Sequence, residues 1–385
     1  MEKKKNKVSI IILSYNTMEI TKLCLDSIRR FTEPGSYEII VIDNASSDGS
    51  VEYLQTLPDI KLIQNNENKG FPGGCNQGIS AAEKGNDILL LNSDTIVTPR
   101  WLRQLRTALY SDAKIGAVSC VTNCCSNRQQ ISVSYTSTAE LAQFAENYNR
   151  TDEKKWIPFF RLVGFCMLIK RTVVDKIGCL DEAFSPGNYE DDDYSFRIRQ
   201  AGYKLLLCQD TFIHHFGSAS FTKHLSAEEL KAKSERYNRL LQRNQQIFFN
   251  KWQISGTSCA IDRLITEKMP DNLRVDANIL HIGCGCGTGL YWLKEKFPTA
   301  NISGIAYTEA EARIAGWGFK TEFCSNIAEK VFDLLQEDYD LIIVSDLERQ
   351  VQNIEGFLER LLHFVRIGGA VYFWLGNEPC AVDRD

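Results

Sequence analysis

Asn92-Ser93-Asp94 closes the apolar run Asp87-Ile88-Leu89-Leu90-Leu91 and precedes Thr95-Ile96-Val97. Side chains alternate along a strand, so polar groups spaced i, i+2 at its end share one face. Such a face can hold a divalent cation, Mn²⁺ or Mg²⁺, and through it a diphosphate. Asp94 is the principal metal-ligand candidate. Asn92 offers only an amide oxygen to the ion, or meets the ligand's oxygens directly beside Ser93. Asp43 ends a second apolar run, where its carboxylate can accept hydrogen bonds from a base N–H or a ribose hydroxyl. It could equally cap the turn Asp43-Asn44-Ala45-Ser46.

Ser14, Tyr15 and Asn16 end a third apolar run, Val8–Leu13. Tyr15 suits stacking on a base or ordinary packing. Asn68-Lys69-Gly70-Phe71-Pro72-Gly73-Gly74 is a glycine-rich loop entering a helix at Cys75-Asn76. Free amides at a helix start suit an anion, although the loop lacks the Gly-Lys-Ser/Thr of a P-loop and reads also as a flexible turn. Glu190-Asp191-Asp192-Asp193 stands before a predicted helix over Tyr194–Ala201, whose positive end offsets part of the charge. Four adjacent carboxylates require cations or donors nearby, and one of them could take a proton from a hydroxyl. The bland alternative is a solvated acidic cap. His214 and His215 end a strand and face opposite ways. One of them could complete a metal shell, or both could be core residues.

The elements that must position these groups form a β–α series. Strands are expected at Val8–Leu13, Tyr37–Ile42, Lys61–Gln64 and Ile88–Leu91, with helices between them. Such alternation argues for a doubly wound α/β sheet. Ligands sit beyond the carboxyl ends of its strands, so Ser14, Asp43 and Asn92-Ser93-Asp94 can converge on one crevice. The stretch from Ser126 to Lys155 is polar and reads as loop. Ala227–Phe249 reads as a connecting helix, and a second β–α series begins at Val275. The expected organisation is one domain over residues 1–222, a helical linker over 223–274 and a smaller α/β domain over 275–385.

The 385 residues are too many for one ordinary domain, and 44% hydrophobic with 24% charged residues is the composition of a globular protein. A net charge of −5 gives no reason to expect nucleic acid. The basic start Met1–Lys7 and the short apolar run after it lack the length and cleavage site of a signal peptide, and no stretch has the length of a membrane span. The 13 cysteines are scattered without zinc-ligand spacing. They read as reduced thiols of a cytoplasmic protein. Self-association is left open.

The first part, Val8 to Phe221, resembles the inverting family 2 of nucleotide-sugar glycosyltransferases, with the mixed-sheet fold called GT-A. The resemblance rests on Val8–Asn16, Val41–Gly49, Asn68-Lys69-Gly70-Phe71, Asn92-Ser93-Asp94, Gly164-Phe165-Cys166, Tyr189–Asp193 and His214-His215-Phe216-Gly217, in that order. It implies a nucleotide-sugar donor lying along Ser14, Tyr15, Asn16, Asp43, Asn44, Lys69, Gly70, Asn76, Asn92 and Ser93. It implies Mn²⁺ or Mg²⁺ on Asp94, with His215 at the spacing from Asp191 that such enzymes carry. It makes Asp191 the general base, supported by Glu190, with Asp192 and Asp193 on the acceptor side. UDP-N-acetylglucosamine is the favoured donor, with UDP-glucose, UDP-galactose and dTDP-rhamnose as rivals, and the acceptor a surface polysaccharide or a protein such as flagellin.

The last part resembles the Rossmann-like class I S-adenosylmethionine-dependent methyltransferases. The resemblance rests on Ile279-Leu280-His281-Ile282 running into Gly283-Cys284-Gly285-Cys286-Gly287-Thr288-Gly289. Two departures argue against bound S-adenosylmethionine. Ala306-Tyr307 stand where an acid for the ribose is expected, and the sheet is expected to end with the strand at 370–375, incomplete, as in a degenerate domain or a fragment. The readings left open are methyl transfer to a glycan held by the first domain, or a non-catalytic assembly role.

Overall fold

A computed structural model describes residues 7–125, 127–217, 227–260, 269–270, 273–336, 338–376 and 378–384. It divides into two units, Met1–Phe248 and Phe249–Asp385. The expected boundary at 222/223 lies outside the described residues. Met269 packs in the core of the second unit and Arg274 bonds Asp340 there at 2.6 Å, so both belong to that unit.

The first unit is built on an eight-stranded mixed sheet. Its strands are β1 (Val8–Ser14), β2 (Tyr37–Asp43), β3 (Ile60–Gln64), β4 (Asp87–Asn92), β6 (Ile115–Val121), β7 (Trp156–Pro158), β8 (Cys166–Ile169) and β9 (Lys204–Phe212), in the order β3-β2-β1-β4-β8-β6-β9-β7. β1 runs parallel to β2 and β4, while β8 runs antiparallel to β4 and β6. This is the α/β mixed sheet the sequence led us to expect. The central strands carry the unbroken apolar runs Ile10–Leu13, Ile39–Ile42 and Ile88–Leu91 because both faces are covered there. Ile10, Ile12, Val41, Leu89 and Leu91 enter one core, and Ile11, Ile40, Ile42, Ile88 and Leu90 the other. A separate two-stranded ladder pairs β5 (Thr95–Ile96) with β10 (His214–His215).

Helices α1 (Met18–Phe31), α2 (Ser50–Gln55), α3 (Gly70–Ala81) and α4 (Trp101–Leu109) alternate with these strands. Four elements differ from expectation. Helix α3 begins at Gly70, so the glycine-rich segment Gly70–Gly74 is its first turn and not a loop leading to a helix at Cys75-Asn76. The stretch read as loop contains α5 (Thr138–Tyr148), started by the Ser137 hydroxyl accepting from the Glu140 amide at 3.3 Å, while Glu140 Oε2 accepts from the Thr136 amide at 2.7 Å. Helix α6 spans Arg171–Ile177, as expected, but α7 spans Glu190–Gln200, so the acidic tetrad is its first turn and does not precede it. Helix α8 (Ala227–Trp252), expected as a connection, also holds the 184–188 loop through Asn244.

The second unit has a six-stranded sheet in the order β13-β12-β11-β14-β15-β16. The strands are β11 (Asn278–Ile282), β12 (Asn301–Ala306), β13 (Lys320–Phe323), β14 (Tyr339–Val344), β15 (Val365–Leu375) and β16 (Glu378–Asp383). All pairs are parallel except β15/β16. The expectation that this sheet ends at 375 is corrected: β16 folds back along the edge. No helix among the described residues is long and apolar enough to cross a membrane. All 13 cysteines are free.

Candidate active site

The register brings the first group of candidates together. Ser14 pairs with Asp43, and Leu13 with Asn92, at the carboxyl ends of three adjacent parallel strands. Asp43 is fully buried. Its Oδ1 accepts from the Ser46 amide at 2.9 Å, and its Oδ2 has no hydrogen-bond partner. A buried carboxylate oxygen left unpaired is costly, and a donor brought by a ligand would satisfy it. Ser14 is buried beside it, and Tyr15 is 47% exposed at the rim. Asn16 takes a left-handed φ of 52°, and its side chain accepts from the Ser47 amide at 2.8 Å. That bond fastens the turn after β1 to the one after β2.

The ladder of β5 and β10 positions the second group. His215 pairs in register with Thr95, which sets its Nε2 3.2 Å from Asp94 Oδ1. His215 Nδ1 lies 2.7 Å from the Cys124 carbonyl, so Nδ1 carries the proton there. Asn123 bonds both the amide and the carbonyl of His215, at 2.9 and 3.0 Å, and the Phe165 ring stacks on the imidazole at 5.3 Å. Burial pulls this imidazole's pKa down, but Asp94 and the Cys124 carbonyl outweigh it and raise the value. His214 turns the opposite way, onto the Tyr135 hydroxyl at 2.6 Å, and burial lowers its pKa to about 4.

The third group starts α7. Asp191 Oδ2 accepts from the Gly164 amide at 2.9 Å. A Cβ on Gly164 would stand 3.4 Å from the Asp191 Cβ, so a small residue suits the approach. Burial, then the Asp192 charge, push the Asp191 carboxyl up to about 6, against the pull of the Gly164 amide and Arg161. Glu190 is buried with Oε2 unbonded, and burial together with Asp191 and Asp192 raises it well above the carboxylate range. Asp192 is bonded to Arg161. Gly164 and Phe165 are consecutive, and the Phe165 carbonyl accepts from the Asn92 amide at 2.9 Å. One short segment therefore touches Asp191, His215 and Asn92.

Several expected contacts are used inside the protein. Asn44 gives its amide to Asn68 and the Gly70 carbonyl and takes the Asn65 amide at 2.8 Å, which engages both ends of its side chain within the protein. Asn76 is spent on Leu180 and Glu182. Gly70 takes a φ of 75°, and a Cβ there would lie 2.7 Å from Pro186, so its backbone meets the 185–187 loop. Asp193 is fully buried and bonds Arg197 at 3.0 Å, which ties it into α7 and away from an acceptor. Lys69 is exposed, and Ser93 sits 3.5 Å from the Thr17 hydroxyl.

Sequence reasoning missed the positioning residues. Gln129 is fully buried and accepts from the Val163 amide at 2.8 Å, holding the segment that reaches Asp191. Asn244 on α8 is fully buried and donates to the carbonyls of Phe184, Gly187 and Asn188 at 2.7, 2.8 and 3.0 Å. It fixes the loop that leads into the acidic turn. Neither amide lies near a motif in the chain, so no local signal marked it.

Residues 9–178 match the family described as Glycosyl transferase family 2. The low-salt glycan biosynthesis hexosyltransferase Agl10 of Haloferax volcanii is 29% identical over 209 residues, which are 52% of this chain and 64% of that one. The poly(ribitol-phosphate) beta-glucosyltransferase of Bacillus spizizenii is 33% identical over 96 residues, 24% of this chain and 15% of that one. This chain thus spans less than two thirds of the length of either. Among solved structures, the mannosyltransferase PcManGT of Pyrobaculum calidifontis, in complex with GDP-Man and Mn²⁺, aligns with a TM-score of 0.42 at 20% identity, covering 64% of this chain and 70% of that one. Within the first unit, residues 9–178 are thus similar to glycosyl transferase family 2.

Proposed function

We propose that the first unit moves a sugar from a nucleotide-sugar donor to an acceptor hydroxyl with inversion, using Asp191 as general base. The observation that carries this reading is the Gly164-Phe165 segment, which joins the Asp191 carboxylate to the Asp94–His215 pair on one wall. UDP-N-acetylglucosamine is our first donor, and the acceptor is a surface glycan or a protein such as flagellin. Free thiols throughout suit a reducing compartment, and we place the reaction in the cytoplasm.

In the reaction, the acceptor oxygen forms a bond to the anomeric carbon while the bond from that carbon to the diphosphate oxygen breaks. The acceptor proton passes to an Asp191 oxygen. A carboxylate with a pKa near the working pH suits that transfer. Asp43 receives hydrogen bonds from the nucleoside and anchors the donor end, while Asn92 and Ser93 meet its polar oxygens.

The residues present fit a divalent cation. Asp94 would supply an oxygen and His215 its Nε2, since the Nδ1 proton is held by a carbonyl in the manner of metal-bound histidines. Bound there, Mn²⁺ or Mg²⁺ would neutralise charge on the departing diphosphate. Among the described residues no group of three His, Cys, Asp or Glu could hold a metal. Two protein ligands leave the rest of the shell to the donor.

Hydrolysis and transfer assays over a panel of nucleotide sugars, with and without Mn²⁺, test the reading. Turnover of at least one sugar is expected. Full turnover by Asp191→Asn would remove the base assignment.

For the second unit, the strand order is the 3-2-1-4-5-6 of doubly wound folds. We read it as methyltransferase-like in fold.

A further inference from the structure

Helix α5 buries Leu141 and Ala145 in the core of the first unit and leaves its next row only partly covered. Phe144 and Tyr148, spaced i, i+4, are half-buried, and Tyr135 stands beside them in the segment before the helix. Ring centroids lie 5.5 Å apart for Tyr135 and Phe144 and 5.4 Å for Phe144 and Tyr148. All three rings rest on the buried Phe212 at 5.0 to 6.0 Å. They line a groove of about 500 Å³, inside the range of roughly 300–1,000 Å³ typical of ligand sites. The groove is fixed in place. Arg100 donates to the Glu146 and Asn149 carbonyls at 2.6 and 2.8 Å, and the Asn149 side chain bonds the amide and the carbonyl of Phe212.

Gln143 and Asn147 line the same groove, also at i, i+4 and each one residue before a ring. Both are exposed, and among the described residues neither side chain makes a hydrogen bond. The tyrosine hydroxyls are engaged: Tyr148 donates to the Gln209 carbonyl at 2.8 Å, and Tyr135 lies 2.6 Å from His214 Nδ1. The rings therefore offer apolar faces, and the two amides offer donors and acceptors. Glu140 is the one charged group in the described lining, and it accepts from the Thr136 amide. A phosphorylated ligand would meet a carboxylate there and no cation. A neutral sugar unit fits better. Its C–H groups suit the negative face of an aromatic ring, and the hydroxyls at its edge suit amides.

Building on the reading of the first unit as a sugar transferase, we propose that the α5 groove holds a neutral saccharide chain on the acceptor side of the site. Tyr135 forms the end nearer the chemistry, since His214 is followed by His215, whose Nε2 lies 3.2 Å from Asp94. Sugar units of the acceptor beyond the reacting one stack on Phe144 and Tyr148, and Gln143 and Asn147 bond their hydroxyls. The groove selects the acceptor and leaves the donor to Asp43, Asn92 and Asp94.

Saturation-transfer NMR on the full chain, with neutral tetrasaccharides of glucose, galactose and N-acetylglucosamine, tests the groove. At least one is expected to bind saturably below about 10 mM, as a solvent-facing groove permits. Gln143→Ala combined with Asn147→Ala alters exposed side chains only, so the melting temperature should hold while the dissociation constant rises about tenfold. Phe144→Leu keeps apolar volume and removes the ring face, and should weaken binding about as much. No binding by any of them, or binding that either variant leaves unchanged, overturns the assignment. So does tighter binding of poly(glycerol phosphate) than of every tetrasaccharide. Hydrolysis of nucleotide sugars, measured on the same preparation, separates the two readings. Hydrolysis without saccharide binding overturns the groove alone, whereas saccharide binding without hydrolysis removes the transfer reading and leaves the groove.

Discussion

Asp191 is where the chemistry and the cost of the site meet. Its folded value of about 6, against an ordinary 3.8, means that the folded chain keeps a proton the unfolded chain has shed over that window. Stability attributable to this group therefore falls as pH rises from the ordinary value to the folded one. The ionised form needed for catalysis grows over the same interval. Initial rates should drop about tenfold per pH unit below 6 if the base must be ionised. Asp191→Asn keeps an oxygen for the Gly164 amide, so it should lose about a thousandfold in turnover and melt higher than the parent at pH 8. A variant that is both active and unchanged in stability would contradict the assignment.

Asp94 and His215 give a second prediction at this scale. With two protein ligands, Mn²⁺ should bind weakly alone and about a hundredfold more tightly with UDP, a coupling of about 3 kcal/mol. Equal affinity with and without UDP, by calorimetry, would show that the donor completes nothing. Asp43, Asp94, Asp191 and His215 stood out in the chain because each lies at or beside the end of an element and carries a side chain able to bind an ion or a proton. Glu190 was readable as an acid but not as one whose pKa is raised, since that follows from burial and two neighbouring carboxylates. Asn44 and Asn76 looked like ligand contacts because their amides stand in the right loops. Only coordinates show those amides already spent.

Among elements, the apolar strands were legible because burial on both faces leaves an unbroken hydrophobic run. Helix α5 was missed because its polar faces hid the periodicity, although Ser137 and Glu140 carry the spacing of a capping box. Helix α8 was legible as a helix and not as a positioning element. Its sequence has no pattern that reveals three carbonyls waiting for Asn244. Asn244→Ala leaves those carbonyls without that donor in a buried place, a loss of about 3 kcal/mol. The loop before α7 should loosen with it. The variant is expected to lower kcat more than KM for the donor, since the acidic turn shifts while Asp43 and Asn92 stay in place. Urea unfolding and donor kinetics measured on the same preparation check both effects. A large stability loss with kcat intact would separate the helix from the site.

At the scale of the whole molecule, each unit owns its cores: Leu25 and Leu90 pack within the first, Val344 and Leu341 within the second. Two sheets with different orders and no shared strand give each unit the means to melt by its own transition. The β–α periodicity and the two glycine-rich turns made a two-part α/β chain legible, whereas the edge strand β16, exposed or half-buried along its length, has no unbroken apolar run to mark it. A ligand that binds only one folded unit stabilises only that unit, by about 2.7 kcal/mol at a hundredfold excess over its dissociation constant. Scanning calorimetry should therefore show two transitions, of which UDP with Mn²⁺ raises one. Leu25→Ala should lower that same transition, and Val344→Ala the other. If UDP with Mn²⁺ moved the transition that Val344→Ala lowers, the nucleotide would be bound by the second unit, and the donor assignment to Asp43 and Asp94 would fall.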